Sequence, residues 1–458
     1  MKTEKPPQKY ILFILAMMIP LALFVLEKSM FSVALPAVRT FFSLGADTTA
    51  WLITAYLLPF MLFMPLYGRF GDVFGKPRLL LIGLAIFAAG SIICLLAPNL
   101  PLFIAGRIIQ GMGGASINPL CLSIISESLP SNQRGKALGT WTSSGPVAYM
   151  LGSFLAGLLI DNLGWKTLFL PILTVALFTL VLVRNTVPVV KIQGPVARVF
   201  RTFDWVGFAL LSGAVIFLVF YVSSRPITGV PPLRDWRILA PALPLFFLFI
   251  VRERHCSNPF LSFKLFASPN FTRASISTSL RMFSINGLGF LIPLYLSDIY
   301  HLPASSIGVL IMIQSGAFLV TMRLGGWLAD IWANRWPVVI SFAVQLVAII
   351  CYNLQSRPWP LGWFIGVLVL YGLGAGMSLA PLHRSVMSGI TKSDSGITAG
   401  LYSMIRSGGD LFGAALGGVF LQLGFDRGLL TLQAYQLVFW IIAAICLLSI
   451  GVSWGLKD

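Results

Sequence analysis

Six ionisable residues lie inside long apolar runs of this 458-residue chain: Glu27, Lys28, Arg107, Arg281, Arg406 and Asp410. A charge at the centre of a membrane helix costs at least ~2.5 kcal/mol, so such residues are functional candidates by default. A carboxylate beside a guanidinium suits proton transfer. Desolvation raises its pKa and the cation lowers it, so alternating the two influences takes up and releases a proton. Glu27 lies nine residues before Pro36, and Arg107 six after Pro101. At 1.5 Å per residue they sit roughly 14 and 9 Å from the same end of their helices. This similar depth allows a Glu27–Arg107 pair, acting either as a proton switch or as a static ion pair holding two helices. Asp410 follows Arg406 by four residues on one helix face, where the two either neutralise each other or leave Asp410 to couple to a proton. Arg281 has no acid at helical spacing and needs a partner on another helix, in water or on a ligand. Lys28 points about 100° away from Glu27 and is expected to snorkel outward. Four cations against two anions leave these segments at +2. A cavity for lipophilic cations would be acidic, so the excess favours an anionic, zwitterionic or neutral amphiphile.

The elements that must hold these residues follow from composition. The chain is 57% hydrophobic and 10% charged, against about 25% charged in a soluble protein. Such a chain cannot clothe a soluble fold, which excludes a cytosolic enzyme, a secreted scaffold and a disordered segment. The net charge of +17 comes from 32 basic against 15 acidic residues. The basic residues lie singly between apolar runs and not in a stripe, so no nucleic-acid partner is expected. Cys94, Cys121, Cys256, Cys351 and Cys446 form no CxxC, and His255, His301 and His383 are isolated; neither a metal nor another cofactor is expected.

The class is an all-α polytopic membrane protein. Runs of about 20 apolar residues suffice to span a bilayer. They fall near 11–35, 50–68, 79–97, 102–126, 137–160, 167–184, 205–223, 238–251, 272–297, 304–322, 337–354, 361–382, 397–422 and 434–454, fourteen in all, of which the eighth is short. The first is too long for a signal peptide and reads as a retained span. Sorting the remaining basic residues by loop puts twenty-one on the side of both termini and seven opposite. That bias implies that both termini are cytoplasmic; the plasma (inner) membrane is the expected location. The basic stretches 184–204 and 252–271 are expected against anionic lipid heads.

An internal repeat organises the spans. Gly68-Arg-Phe-Gly-Asp72-Val-Phe-Gly75-Lys76-Pro-Arg78 follows span 2, and Gly326-Trp-Leu-Ala-Asp330-Ile-Trp-Ala-Asn-Arg335 follows span 10. Two Gly-x-x-x-Asp turns eight spans apart are the mark of repeated halves with a site between them. Gly68 would let helix ends approach closely, and Asp72 would cap a helix or pair with a basic neighbour.

On these residues the chain resembles the major facilitator superfamily, and within it the fourteen-span drug:proton antiporter branch. Further supports are Leu26-Glu27 with Ala34-Leu35-Pro36, Trp51 to Tyr56, Arg107-Ile-Ile-Gln110-Gly111-Met-Gly113-Gly114-Ala115, Asp161-Asn162, Trp165 and Phe203-Asp204-Trp205-x-Gly207. The resemblance implies a six-helix bundle over 1–186, a linker with two extra helices over 187–258, and a second bundle over 259–458. It also implies alternating access around a central cavity. Three departures stand out. Val73 and Ile331 replace an Arg of the family, Glu27 replaces an Asp, and Gly152-Ser-Phe-Leu-Ala156-Gly157 replaces Gly-Pro-x-x-Gly-Gly in span 5. Small residues at 148, 152 and 156 still permit close helix packing.

The expected function is secondary active transport of small amphiphiles, with protons as coupling ion. The alternative is a flippase or dedicated exporter of a lipid or anionic metabolite. Glu27, Arg107 and Asp410 are the proton-coupling candidates. Phe31, Asn118, Arg281, Asn286, Gln314 and Arg406 are the cavity candidates. Gly68, Asp72, Gly75, Lys76, Arg78, Gly326 and Asp330 form the switch loops. Gly409, Gly413 and Gly417 read as a packing face: they lie within a span, and no Walker sequence occurs anywhere. A monomer in contact with membrane lipids is expected.

Overall fold

A computed structural model describes residues 8–187, 203–223, 225–256, 260, 263–354, 359–388 and 395–456. Of the two basic stretches expected against lipid heads, 184–204 lies largely outside the described residues and 252–271 partly so. Among those described there is helix and no strand, as a bilayer demands of a chain that must satisfy its own backbone groups.

Among the described residues, thirteen helical segments are long and apolar enough to cross a membrane: Ile11–Phe41, Ala46–Phe74, Lys76–Leu96, Leu100–Ser128, Gln133–Leu163, Trp165–Thr186, Trp205–Ser223, Pro269–Tyr300, Ala304–Trp332, Arg335–Asn353, Leu361–Met387, Gly400–Asp426 and Thr431–Trp454. The remaining expected span, the eighth, is the 20-residue helix Trp236–His255, packed against span 7. Its charged ends (Arg237, Arg252, Glu253, Arg254) leave a short apolar centre. Counting it makes fourteen. Several helices run beyond their apolar runs, for example Gln8–Phe41 in span 1, because backbone hydrogen bonding continues past the bilayer core. Caps set some ends. Asn99 accepts from the Leu102 amide at 3.0 Å and Ser268 from Phe271 at 3.4 Å, each followed by a proline in the first turn.

The packing is a repeat. In the first half span 1 packs on 5 and 6, span 3 on 4 and 6, and span 2 on 4. The second half reproduces each pair eight spans later: 9 on 13 and 14, 11 on 12 and 14, 10 on 12. The halves meet through span 1 on 9, span 2 on 13 and span 5 on 10. The last two exchange under a pseudo-two-fold. The span 7–8 hairpin docks beside spans 2 and 13. Leu177, Phe178 and Val181 of span 6 and Leu447 and Leu448 of span 14 are exposed. They form equivalent lipid-facing surfaces.

Small residues set the closest approaches. A side chain at Gly413 would strike the Phe283 backbone, one at Gly409 the Ser279 carbonyl, and one at Gly152 Ser29 and Leu26 of span 1. The glycine run of span 13 is thus a packing face. Gly68 behaves differently from expectation. A Cβ there would meet nothing within 4 Å, while one at Gly71 would press on Leu120. In this conformer the close approach lies one turn later.

Two breaks were not expected from the sequence. Span 4 divides into Leu100–Gly114 and Ile117–Ser128, and span 12 into Leu361–Met377 and Leu379–Met387. They fall at the same place in the repeat, after Gly111-Met-Gly113-Gly114 and Gly372-Leu-Gly374-Ala-Gly376. Glycine stretches lower helix propensity there.

Candidate functional site

The first half holds a dry polar cluster. Arg107 is 2% exposed and Glu27 fully buried. An Arg107 guanidinium nitrogen donates to Glu27 Oε1 and, at 2.6 Å, to Gln110 Oε1, while its Nε donates to the Leu52 carbonyl at 3.1 Å. Phe31 and Tyr56 cover the guanidinium, with ring centroids 4.0 and 4.5 Å from Cζ. Gln110 Nε2 in turn donates to Ser91 Oγ at 2.9 Å. The equal depth of Glu27 and Arg107 thus becomes contact between spans 1 and 4. Glu27 Oε2 accepts no hydrogen bond, which leaves one carboxylate oxygen free in a water-poor setting.

The polar group joining the halves differs from the sequence reading. Lys28 does not snorkel. It faces the second half and its Nζ lies 3.6 Å from Asp410 Oδ1. The Asn286 amide also donates to Asp410 Oδ1. Arg406 makes no ion pair among the described residues, so Asp410 is neutralised across the halves and not within its own helix. The reason is direction. At mid-membrane Lys28 meets a carboxylate of the other half before it can reach water.

Arg281 is 1% exposed. Its Nε donates to Ser378 Oγ at 2.9 Å and its Nη2 to the Ala375 carbonyl at 2.9 Å, and Phe318 lies 5.7 Å from Cζ. Its partners lie on another helix, at the break in span 12. Asn118 and Gln314 are half-buried.

A repeated six-helix unit, a two-fold relation between halves and broken helices at equivalent positions form the architecture of a secondary transporter. The sequence model of the Major Facilitator Superfamily matches residues 17–413 and again 274–458. The chain belongs to that superfamily. Among relatives, the riboflavin transporter RibZ of Clostridioides difficile is 26% identical over 97% of this chain and 96% of its own. The drug efflux pump JefA of Mycobacterium tuberculosis is 27% identical over 84% of this chain and 75% of its own. Of solved structures, a D-xylose-proton symporter superposes with TM-score 0.71 at 14% identity, covering 98% of each chain. A bacterial homologue of the lysosomal transporter Spinster gives 0.70 at 14% identity, over 98% of this chain and 97% of its own.

This transporter is closed at the face opposite its termini. There Asp161 of span 5 accepts from the amides of Ala304 and Ser305 at 3.0 and 2.8 Å, capping span 10. In the two-fold-related position Gln422 of span 13 accepts from the Ala46 amide at 2.8 Å, capping span 2. Arg39 pairs with Asp298 at 2.8 Å. Arg225 of the inserted hairpin pairs with Asp426 and reaches Asp47 at 3.9 Å, and the Trp51 indole donates to the Ser223 carbonyl. Sequence reasoning quoted Asp161 but not its role, since its partners lie 143 and 144 residues away.

At the termini face the paired loop motifs bond within their own halves. Lys76 joins Asp72 at 2.8 Å and also pairs with Glu127 at the end of span 4. Asp330 pairs with Arg384 at 2.7 Å at the end of span 12. The two loops of the superfamily member are therefore structural equivalents, each tying the span 2–3 or 10–11 turn to a broken helix. Gly75 has φ +89° and its counterpart Ala333 +73°. Arg78 and Gly326 flank these turns, and Arg78 forms no ion pair with them among the described residues. Among the described residues no cluster of three or more potential metal ligands occurs.

Proposed function

We propose that the protein exports small amphiphilic compounds in exchange for protons, by rocking its two halves about a central site. The observation that carries this reading is the buried Glu27–Arg107 pair with its free carboxylate oxygen. A carboxylate that shares one oxygen with a guanidinium and leaves the other unbonded is placed to exchange a proton when that contact breaks and re-forms. Arg107 would tune the proton site, and Asp410 would sense it across the halves through Lys28. Phe31, Asn118, Asn286, Gln314 and Arg406 would contact the cargo. The drug efflux pumps among the relatives support the cargo class. The positive-inside bias supports a plasma-membrane location with both termini cytoplasmic, so the closed face is the outer one. The proton is the proposed coupling ion and a monomer the proposed working unit.

The altered span 5 sequence at Gly152–Gly157 favours a second reading, a dedicated exporter without antiport. Proton flux in proteoliposomes, on adding candidate compounds, separates the two. Antiport predicts compound-dependent proton movement in the wild type and its loss in Glu27→Gln. Movement that survives the substitution removes Glu27 from the role. No movement with a transported compound selects the second reading.

A further inference from the structure

The two halves handle the same helix contact in opposite electrical ways. In the first half, spans 1 and 4 meet through a neutral pair, with the acid on span 1 and the cation on span 4. The equivalent contact in the second half joins spans 9 and 12. It has a cation, Arg281, and no acid. Ser378 Oγ and the Ala375 carbonyl are neutral acceptors, and Arg281 Nη1 has no acceptor among the described residues. The nearby Asp410 is already engaged by Lys28 and Asn286. Arg406, one turn before it, adds a second cation without an ion pair among the described residues. A buried charge lacking a counter-charge is strongly disfavoured.

The position of Arg281 adds a second argument. Ser378, which holds its Nε, is the single residue between the half-helices of span 12. The half-helix Leu379–Met387 begins there with the positive end of its dipole, directly after the carbonyl end of Leu361–Met377, which Arg281 touches through Ala375. Half-helix ends at equivalent breaks are where transporters of this build hold charged ligand groups. A guanidinium beside an apolar ring, Phe318, suits a planar anion carried on an apolar body.

We propose that Arg281 and the break in span 12 bind the anionic group, a carboxylate, sulfonate or phosphate, of an amphiphilic cargo. The inference rests on the export reading and narrows its cargo to anions. The ligand replaces the acid that the second half lacks.

Equilibrium dialysis of the full chain in zwitterionic-lipid nanodiscs tests it, with empty nanodiscs subtracted. The probes share one ring system: 1-naphthalenesulfonate, 1-naphthylmethylammonium and 1-naphthalenemethanol. The wild type is expected to hold the sulfonate at least tenfold tighter than the ammonium. Arg281→Gln should cost the sulfonate tenfold or more and leave the neutral alcohol within twofold, which also reports an intact fold. Preference for the ammonium, no sulfonate binding by the wild type, or unchanged sulfonate affinity in Arg281→Gln overturns the proposal. If Arg281→Gln binds no probe, Arg281→Lys decides: a retained sulfonate preference supports the site and a lost one overturns it. The assay uses no proton gradient, so its result is independent of whether Glu27 couples protons.

Discussion

Lys28 of span 1 and Asp410 of span 13 face each other at 3.6 Å across the boundary between the halves. The Glu27–Arg107 pair beside it stays within one half. If the halves rock as proposed, the second pair stays whole and the first is strained. Lys28→Met and Asp410→Asn should each shift the protein toward opening at the face opposite the termini. Combined, they should fall short of additivity by roughly 0.5–1 kcal/mol, a range kept low because Lys28 is partly exposed. Spin-label distances between the outer ends of spans 2 and 10 check this, and full additivity refutes the coupling.

The crossed caps make a second case. Asp161→Ala should raise the open population about fivefold, the equivalent of one lost helix cap. Asp161→Asn, which keeps an acceptor, should raise it less. Gln422→Ala should act in the same direction through span 2. Cysteine accessibility at the closed face, read with a membrane-impermeant reagent, is the measurement.

Asp204, just before span 7, gives a pH dependence outside the membrane. Burial alone would raise its carboxyl. The Arg252 guanidinium at 2.7 Å and the Gly207 amide at 2.9 Å outweigh that and hold it below the usual carboxylate range. A folded-state pKa below the unfolded one contributes stability above the unfolded value, about 3.9, and the contribution fades as pH falls through the folded value. Wild-type thermal stability should therefore drop more steeply below about pH 4 than that of Asp204→Asn. The variant should be less stable at neutral pH. Unfolding temperatures across that range would show parallel curves if Asp204 played no part.

The repeated turns predict a stabilising substitution. Ala333 adopts φ +73°, ψ 155°, a region other residues leave to glycine, at a cost of order 1 kcal/mol or more. Its counterpart is Gly75. Ala333→Gly should raise the unfolding temperature and Gly75→Ala should lower it.

Much of this arrangement was legible from residue types. Apolar run lengths gave the spans, the paired Gly-x-x-x-Asp turns gave the repeat, and counting from Pro36 and Pro101 put Glu27 level with Arg107. Lys28 and Asp410 were not legible. A helical wheel fixes a side chain's direction around its own axis but not which helix stands there, so outward escape and contact with the other half looked alike. The i,i+4 spacing of Arg406 and Asp410 suggested a local pair, but a stronger partner stood on span 1. The breaks in spans 4 and 12 were written only as glycines, which serve close packing as readily as unwinding. Asp161 was visible as a residue and silent as a cap, since a cap is defined by the amides it meets.

The exchange of caps between halves is what a two-fold interface produces: each contact is made twice. The inserted hairpin spoils that balance. Arg225 and the carbonyl of Ser223 fasten the span 2–13 seam through Asp47, Asp426 and Trp51, while the span 5–10 seam is held by Asp161 without such a strap. The molecule resembles a door hung on one post: on opening, the strapped seam is expected to serve as the hinge and the gap to widen first along spans 5 and 10.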